Sequence, residues 1–180
     1  MADPVEALRW RHWALFAGIA ALSLFLRLLP LPGAAEQTWP GPDLLLCVVF
    51  AWVLRRPDYM PALLVAVVFL IEDLLMMRAP GLWALLALLG SEFLRGRQPL
   101  MRELPFALEW AFVAAVMAVL WLGERLLLGL LVVPMPGLGL AFVQLAATVL
   151  AYPLVVLVSH HLLRVRKPAP GEVDALGRPL

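Results

Sequence analysis

Little in this 180-residue chain is charged, and almost none of it is thiol. Charged residues make up 15% of the sequence, against about 25% in a typical soluble domain, and there is a single cysteine, Cys47. One cysteine, set in the apolar run LLLCVVFAW, excludes an intrachain disulfide framework and a thiolate metal site. A net charge of +1 leaves no surplus for a basic face, which argues against nucleic acid. Histidine is scarce too. His160 and His161 are adjacent, so on a helix they diverge by about 100° and do not form a chelating pair, and no metal is expected. The chain has no Gly-Lys-Ser/Thr phosphate loop, no His-Glu-x-x-His helix and no Gly-x-Ser-x-Gly elbow. The expectation is a protein that is not an enzyme, with no catalytic residue and no cofactor.

What is abundant is hydrocarbon. Apolar residues reach 63% and the mean hydropathy is +0.91. A chain this short cannot hide that much apolar surface in one core, so lipid is the expected solvent. Every loop is short, which leaves no room for a soluble domain. The fold class read from the sequence is an all-α integral membrane protein, a six-helix transmembrane bundle.

A helix needs about 20 apolar residues to cross the hydrocarbon. The expected spans are about 12–29, 43–54, 61–77, 81–94, 105–122 and 138–163, forming one domain over 12–163. Pro30, Pro32 and Gly33 close the first, and Arg55-Arg56-Pro57 stops the second. Spans two and four are short, so tilt, local thinning or burial inside the bundle must compensate. The segment Gly123–Gly137 is read as an extension of the fifth helix or an interfacial stretch in preference to a re-entrant loop. Gly33-Ala34-Ala35 faintly resembles a signal-peptide cleavage site, but the preceding apolar run is too long for one. The tail from Pro168 is rich in Pro and Gly and reads as disordered.

Charge sets the orientation. Arg9 and Arg11, Arg55 and Arg56, Arg95, Arg97 and Arg102, and Arg164, Arg166, Lys167 and Arg178 fall on one side. Arg27, Arg78 and Arg125 fall on the other. The richer side is cytoplasmic by the positive-inside bias, placing residues 1–11 and 164–180 inside. A five-span layout would put the basic tail outside.

Against this background VFLIEDLLMM stands out, because Glu72 and Asp73 interrupt a stretch built for lipid. Successive helical residues point about 100° apart, so both acids are not expected in one small site. Either an arginine on that side, Arg78 or Arg27, neutralises one while the other reaches water, or the acids mark a pathway or a partner contact. Glu92 and Glu109, near the inner ends of spans four and five, read as interfacial salt bridges. Glu92 has Arg95 three residues on; Glu109 has Arg95, Arg97 or Arg102 across the loop. Ser91, Gln144 and Thr148 are expected to hydrogen-bond between helices. Trp10, Trp13, Trp39, Trp52, Trp83, Trp110 and Trp121 lie near span ends, as an aromatic belt would. Ala14 and Gly18, Ala17 and Ala21, and Ala107, Ala111 and Ala115 repeat at four-residue spacing, forming flat ridges for close helix approach.

The run PDLLLCVVFAWVLRRPDYMPALLVAVVFLIEDLLMMRAPGLWALLALLGSEFLR resembles the rod shape-determining membrane protein MreD family. Its family positions here are Pro42 and Asp43 opening span two, Arg56 and Pro57 after it, Asp73 late in span three and Gly81 before span four. Phe69 stands where the family often has glycine. The likeness covers roughly residues 40–95 closely. It implies a subunit of the cell-elongation machinery in the bacterial inner membrane. Its partners would be MreC, the wall-elongation transpeptidase and glycosyltransferase, the actin-like MreB filaments and membrane lipids. It also implies a fold similar to the substrate-binding subunits of energy-coupling-factor vitamin transporters. On that reading Asp73 faces the bundle, while Glu72 faces headgroups or water.

The leading functional expectation is therefore a non-enzymatic scaffold for peptidoglycan synthesis. The alternative is a substrate-binding subunit of a small-molecule transporter. Such a pocket needs several converging polar groups, and the outer half offers few beyond Glu72, Asp73, Gln37 and Thr38. An ion pathway would need polar residues through the midplane, and most here lie near span ends.

Overall fold

A single short helix lies at the centre of the molecule. In the computed structural model, which describes residues 4–29, 41–135 and 137–161, the chain forms six α-helices and no strand among the described residues. They are α1 (Pro4–Leu28), α2 (Leu44–Arg55), α3 (Ala62–Leu75), α4 (Leu82–Glu103), α5 (Phe106–Leu130) and α6 (Leu138–His161); a 3-10 turn, Pro57–Tyr59, joins α2 to α3. At 1.5 Å per residue, α2 is only about 18 Å long, well short of the roughly 30 Å hydrocarbon. It needs no lipid contact, because every residue from Leu45 to Arg55 is buried. It packs chiefly against α4 and α6, while α3 lies against α4. Burial in the bundle is how the short second segment is accommodated.

The core is continuous around α2. Phe50, Trp52 and Leu54 are fully buried, joined by Phe69 of α3, Leu94 of α4, Met117 of α5 and Tyr152 of α6. Trp52 donates from Nε1 to Ser159 Oγ at 3.1 Å, so it is a core residue and not part of an aromatic belt. Trp83 is buried as well, whereas Trp10 is 65% exposed, as a belt residue would be. Trp39 lies outside the described residues.

Outside the core the bundle is greasy. Leu126, Leu130, Phe142, Leu150 and Leu154 project outward among many other large apolar side chains. Three helical stretches are long and apolar enough to cross a membrane: Trp10–Leu28, Phe106–Leu130 and Leu138–His161. Membrane association follows from those stretches and the apolar exterior.

Helix ends differ from the sequence expectation in three places. The first helix begins at Pro4, ahead of residue 12. The fourth runs on from Leu94 to Glu103, because Gln98 and Met101 continue its buried stripe past the charged residues, with Pro99 inside the helix. The fifth continues through Gly123 to Leu130 and ends in a turn at Leu131 and Val132. Gly123–Gly137 therefore starts as an extension of the fifth helix. The stop at Pro30, Pro32 and Gly33, the sequence Gly33-Ala34-Ala35, Gln37, Thr38 and the basic tail from Arg164 lie outside the described residues.

The small-residue ridges do not work inside this chain. Ala14, Ala17, Gly18 and Ala21 of α1 are all exposed, as are Ala107, Ala111 and Ala115 of α5. Close approach happens instead at Gly90 of α4. A Cβ there would lie 2.7 Å from Leu120 Cδ1 and 2.9 Å from Phe50 Cζ, so glycine lets α4 seat against both α2 and α5.

Candidate functional site

Polar side chains gather at the two ends of α2. At its N-terminus, Asp43 caps the helix, accepting from Leu46 N at Oδ1, 3.0 Å. Its Oδ2 accepts from Trp83 Nε1 of α4 at 3.2 Å, and its own N–H donates to Thr148 Oγ1 of α6 at 2.9 Å. Arg27 of α1 approaches the same carboxylate at 3.6 Å and donates to the Pro42 carbonyl at 3.3 Å. One aspartate thus ties four helices together.

Asp73 does a related task for α4. Gly81 occupies the N-cap of that helix in a left-handed conformation, φ 83°, which favours glycine but provides no capping side chain. Asp73 supplies the missing oxygen from the preceding helix: its Oδ2 accepts from Gly81 N and Ala84 N, each at 3.1 Å. A carboxylate at a helix N-terminus also meets the positive end of the helix dipole. The pairing of Asp73 with Gly81 therefore has a mechanical reason. Asp73→Ala is expected to lower stability by about 1 kcal/mol through loss of the cap, while Asp73→Asn keeps most of it. Thermal unfolding of the purified protein checks this; equal losses from both variants would rule out capping as the role of Asp73.

Glu72 departs from its expectation. It does not face headgroups or water: it is fully buried and accepts from Arg27 Nη1 at 2.5 Å, with Arg78 at 4.0 Å. The 100° divergence from Asp73 holds, yet both directions are covered. Arg27 of α1 meets Glu72, and the start of α4 meets Asp73. The expected neutralisation by arginine is right for Glu72; the expected escape of the other acid to water is not.

The opposite end of α2 carries a second ion pair. Arg55 and Glu109 are both buried, with Nη1 to Oε1 at 3.0 Å, and Tyr152 donates to the same Oε1 at 3.0 Å. Glu109 thus meets Arg55 of α2, a partner that the expected pairing with Arg95, Arg97 or Arg102 did not include. Arg55 is correspondingly an interior residue of the last turn of α2, not a loop charge. Arg56 ends α2, with its N–H on the Trp52 carbonyl at 2.7 Å, and Pro57 opens the 3-10 turn. Glu92 and Arg95 do pair, at 3.3 Å, on an exposed face. Arg95 also donates to the Met60 carbonyl.

Of the polar residues expected to link helices, Thr148 does so through Asp43. Ser91 bonds back to Leu88 within its own helix at 2.8 Å. The side chain of Gln144 faces a cavity of about 450 Å³ beside the Asp43 cluster. Arg27, Arg78, Trp83, Trp121, Glu124 and Arg125 line it as well. Arg78 sits 5.2 Å from the Trp83 ring centroid and pairs with Glu124 at 3.4 Å; Arg125 sits 5.3 Å from the Trp121 ring. This half of the molecule is thus richer in polar groups than the sequence suggested. Glu124 escaped notice, and Arg125 was read only as a topology signal, because they are adjacent charges in an apolar stretch whose path the sequence left open.

No family model, curated protein or solved structure matches the chain. The geometry therefore carries the functional reading. Asp43, Glu72, Asp73, Arg55 and Glu109 are all engaged in helix caps or interhelical ion pairs. What this arrangement can do chemically is fix helix positions and shape one charged, partly apolar cavity.

Proposed function

We propose that this protein is a non-enzymatic scaffold subunit of the bacterial cell-elongation complex, of the MreD type. It would cross the inner membrane six times with both termini cytoplasmic, in a fold similar to the energy-coupling-factor substrate-binding subunits. It binds MreC, helps position the wall-elongation transpeptidase and glycosyltransferase, and stands near MreB filaments. The observation that supports this most is the employment of Asp43, Asp73 and Gly81, three positions of the family-like pattern, as the pins of α2 and α4. Residues that set helix positions suit a protein whose product is a shape. The apolar outer faces, with small-residue ridges unused within the chain, offer surface to partner helices.

The cavity beside Asp43 favours a second reading, a substrate-binding subunit of a small-molecule transporter, since its volume falls in the range of ligand pockets. Affinity purification of tagged protein from native membranes in mild detergent, read by mass spectrometry, separates the two. Recovery of MreC and wall synthases is the expected result. Recovery of an ATPase pair with a membrane coupling subunit overturns the scaffold in favour of transport.

A further inference from the structure

We propose that the cavity beside Asp43 takes a net-neutral small molecule, a flat apolar body ending in one small uncharged hydrogen-bonding group such as an amide, with Gln144 as the residue that recognises that group. This deepens the second functional reading and rests on it for a biological role. Binding is tested on the purified chain, so its failure is distinct from the failure of either reading in the pull-down.

The charges on the wall are already matched. Arg27 meets Glu72 at 2.5 Å and Asp43 at 3.6 Å, and Arg78 meets Glu124 at 3.4 Å. Arg125 lies over the Trp121 ring and reaches the Gly137 carbonyl at 3.5 Å. A charged ligand would have to break one of these contacts or bring a charge of its own without a counterion, which is costly in a partly dry site. A neutral ligand leaves them intact. Gln144 is the polar side chain with nothing to do. Its backbone carbonyl takes the Thr148 hydroxyl at 2.8 Å, while its side-chain amide bonds to no group among the described residues. That amide offers two N–H donors and one carbonyl acceptor, the complement of another amide.

The shape of the space gives the rest of the ligand. The main cavity, about 450 Å³, adjoins a second of about 30 Å³, and Arg78, Trp83, Trp121, Glu124 and Gln144 line both. The smaller space has room for a group little larger than a water. Asp43 and Thr148 on its wall are already bonded to each other, since the Asp43 N–H donates to Thr148 Oγ1, so Gln144 supplies the open hydrogen bonds there. Trp83 has committed its Nε1 to Asp43 and presents carbon to the cavity. Indole rings favour flat partners, stacked or edge-on. Met76, Leu82, Leu128 and Met135 complete an apolar wall, and methionine adapts readily to an irregular partner. The polar group therefore enters the small space beside Gln144, and the flat body stays in the large one.

Benzamide carries this chemistry without charge, and benzoate is an anion of nearly the same size and shape. Purified full-length protein in a neutral detergent at neutral pH is titrated with each, following tryptophan emission. The expected result is saturable binding of benzamide, with benzoate at least about tenfold weaker. Gln144→Leu, which keeps the bulk of the side chain and removes its amide, weakens benzamide about tenfold, the loss of one well-made hydrogen bond. Absence of saturable benzamide binding overturns the proposal. Benzoate binding as tightly as benzamide overturns it too, because the site would then not reject charge. Indifference of benzamide to Gln144→Leu removes Gln144 from the site and overturns it as well. If Gln144→Leu does not fold, the comparison of the two compounds on the unaltered protein decides the matter.

Discussion

Arg55→Leu is expected to destabilise the protein by about 3–5 kcal/mol, the cost of breaking a buried ion pair from one side. Glu109 is fully buried, and the guanidinium 3.0 Å away is the charge that neutralises it from α2. Tyr152 adds one neutral hydrogen bond to the same oxygen. Glu109→Leu should cost a similar amount, stranding Arg55 within the last turn of α2. The double variant, Arg55→Leu with Glu109→Leu, should recover most of the loss, because two apolar side chains remove both desolvation penalties together. Thermal unfolding in detergent, followed by size-exclusion profile after heating, measures all three. Additive losses in the double variant would mean that the two residues act independently and that the pair does not organise this end of the bundle.

Gly90→Leu should cost about 3 kcal/mol, since overpacking a filled interior forces side chains off their rotamers and helices apart. Even the first added carbon would meet Leu120 at 2.7 Å and Phe50 at 2.9 Å. Gly90→Ala should be milder, because alanine gains about 1 kcal/mol of helix propensity over glycine and only the Leu120 and Phe50 tips must shift. Combining Gly90→Ala with Leu120→Ala should relieve part of the clash, a coupling expected of residues in contact. Thermal midpoints of the single and double variants test this; unchanged stability in Gly90→Leu would show that α4 does not seat as closely as described.

Six helices were legible in the sequence, because long apolar runs broken by Pro, Gly and Arg leave few alternatives. Their ends were less so. Arg95–Arg102 reads as a loop by charge, but Gln98 and Met101 keep a buried stripe turning past it. GERLLLGL, too short to cross alone, is simply the C-terminal portion of α5. The acids show the deeper difficulty. That Glu72 and Asp73 diverge follows from helix geometry; that both are buried depends on what flanks α3. Arg27 is 45 residues from Glu72, and Tyr152 is 43 from Glu109. Such pairings are set by the rotation of each helix about its axis, a property of tertiary packing with no local signal. The resemblance drew attention to Asp43, Asp73 and Gly81, and the structure gives those positions physical work. It did not point to Gly90, to Arg55 as an interior charge, or to Glu124 and Arg125 on the cavity wall.

The enclosure of α2 has a consequence for how the chain is made. A helix about 18 Å long with a charged group at each end is a poor guest for bare lipid. Its covering comes largely from α4 and α6, and of the partners of its terminal polar groups only Arg27 precedes it, while Trp83, Glu109 and Thr148 follow it in the sequence. The ribosome therefore delivers the innermost helix well before the walls that enclose it. Until α6 emerges, α2 must wait in the translocon, under a chaperone or at the bilayer surface. Assembly is closed by the last helix, and any chain released short of it carries its interior uncovered, a form that membrane quality control can distinguish from the finished protein.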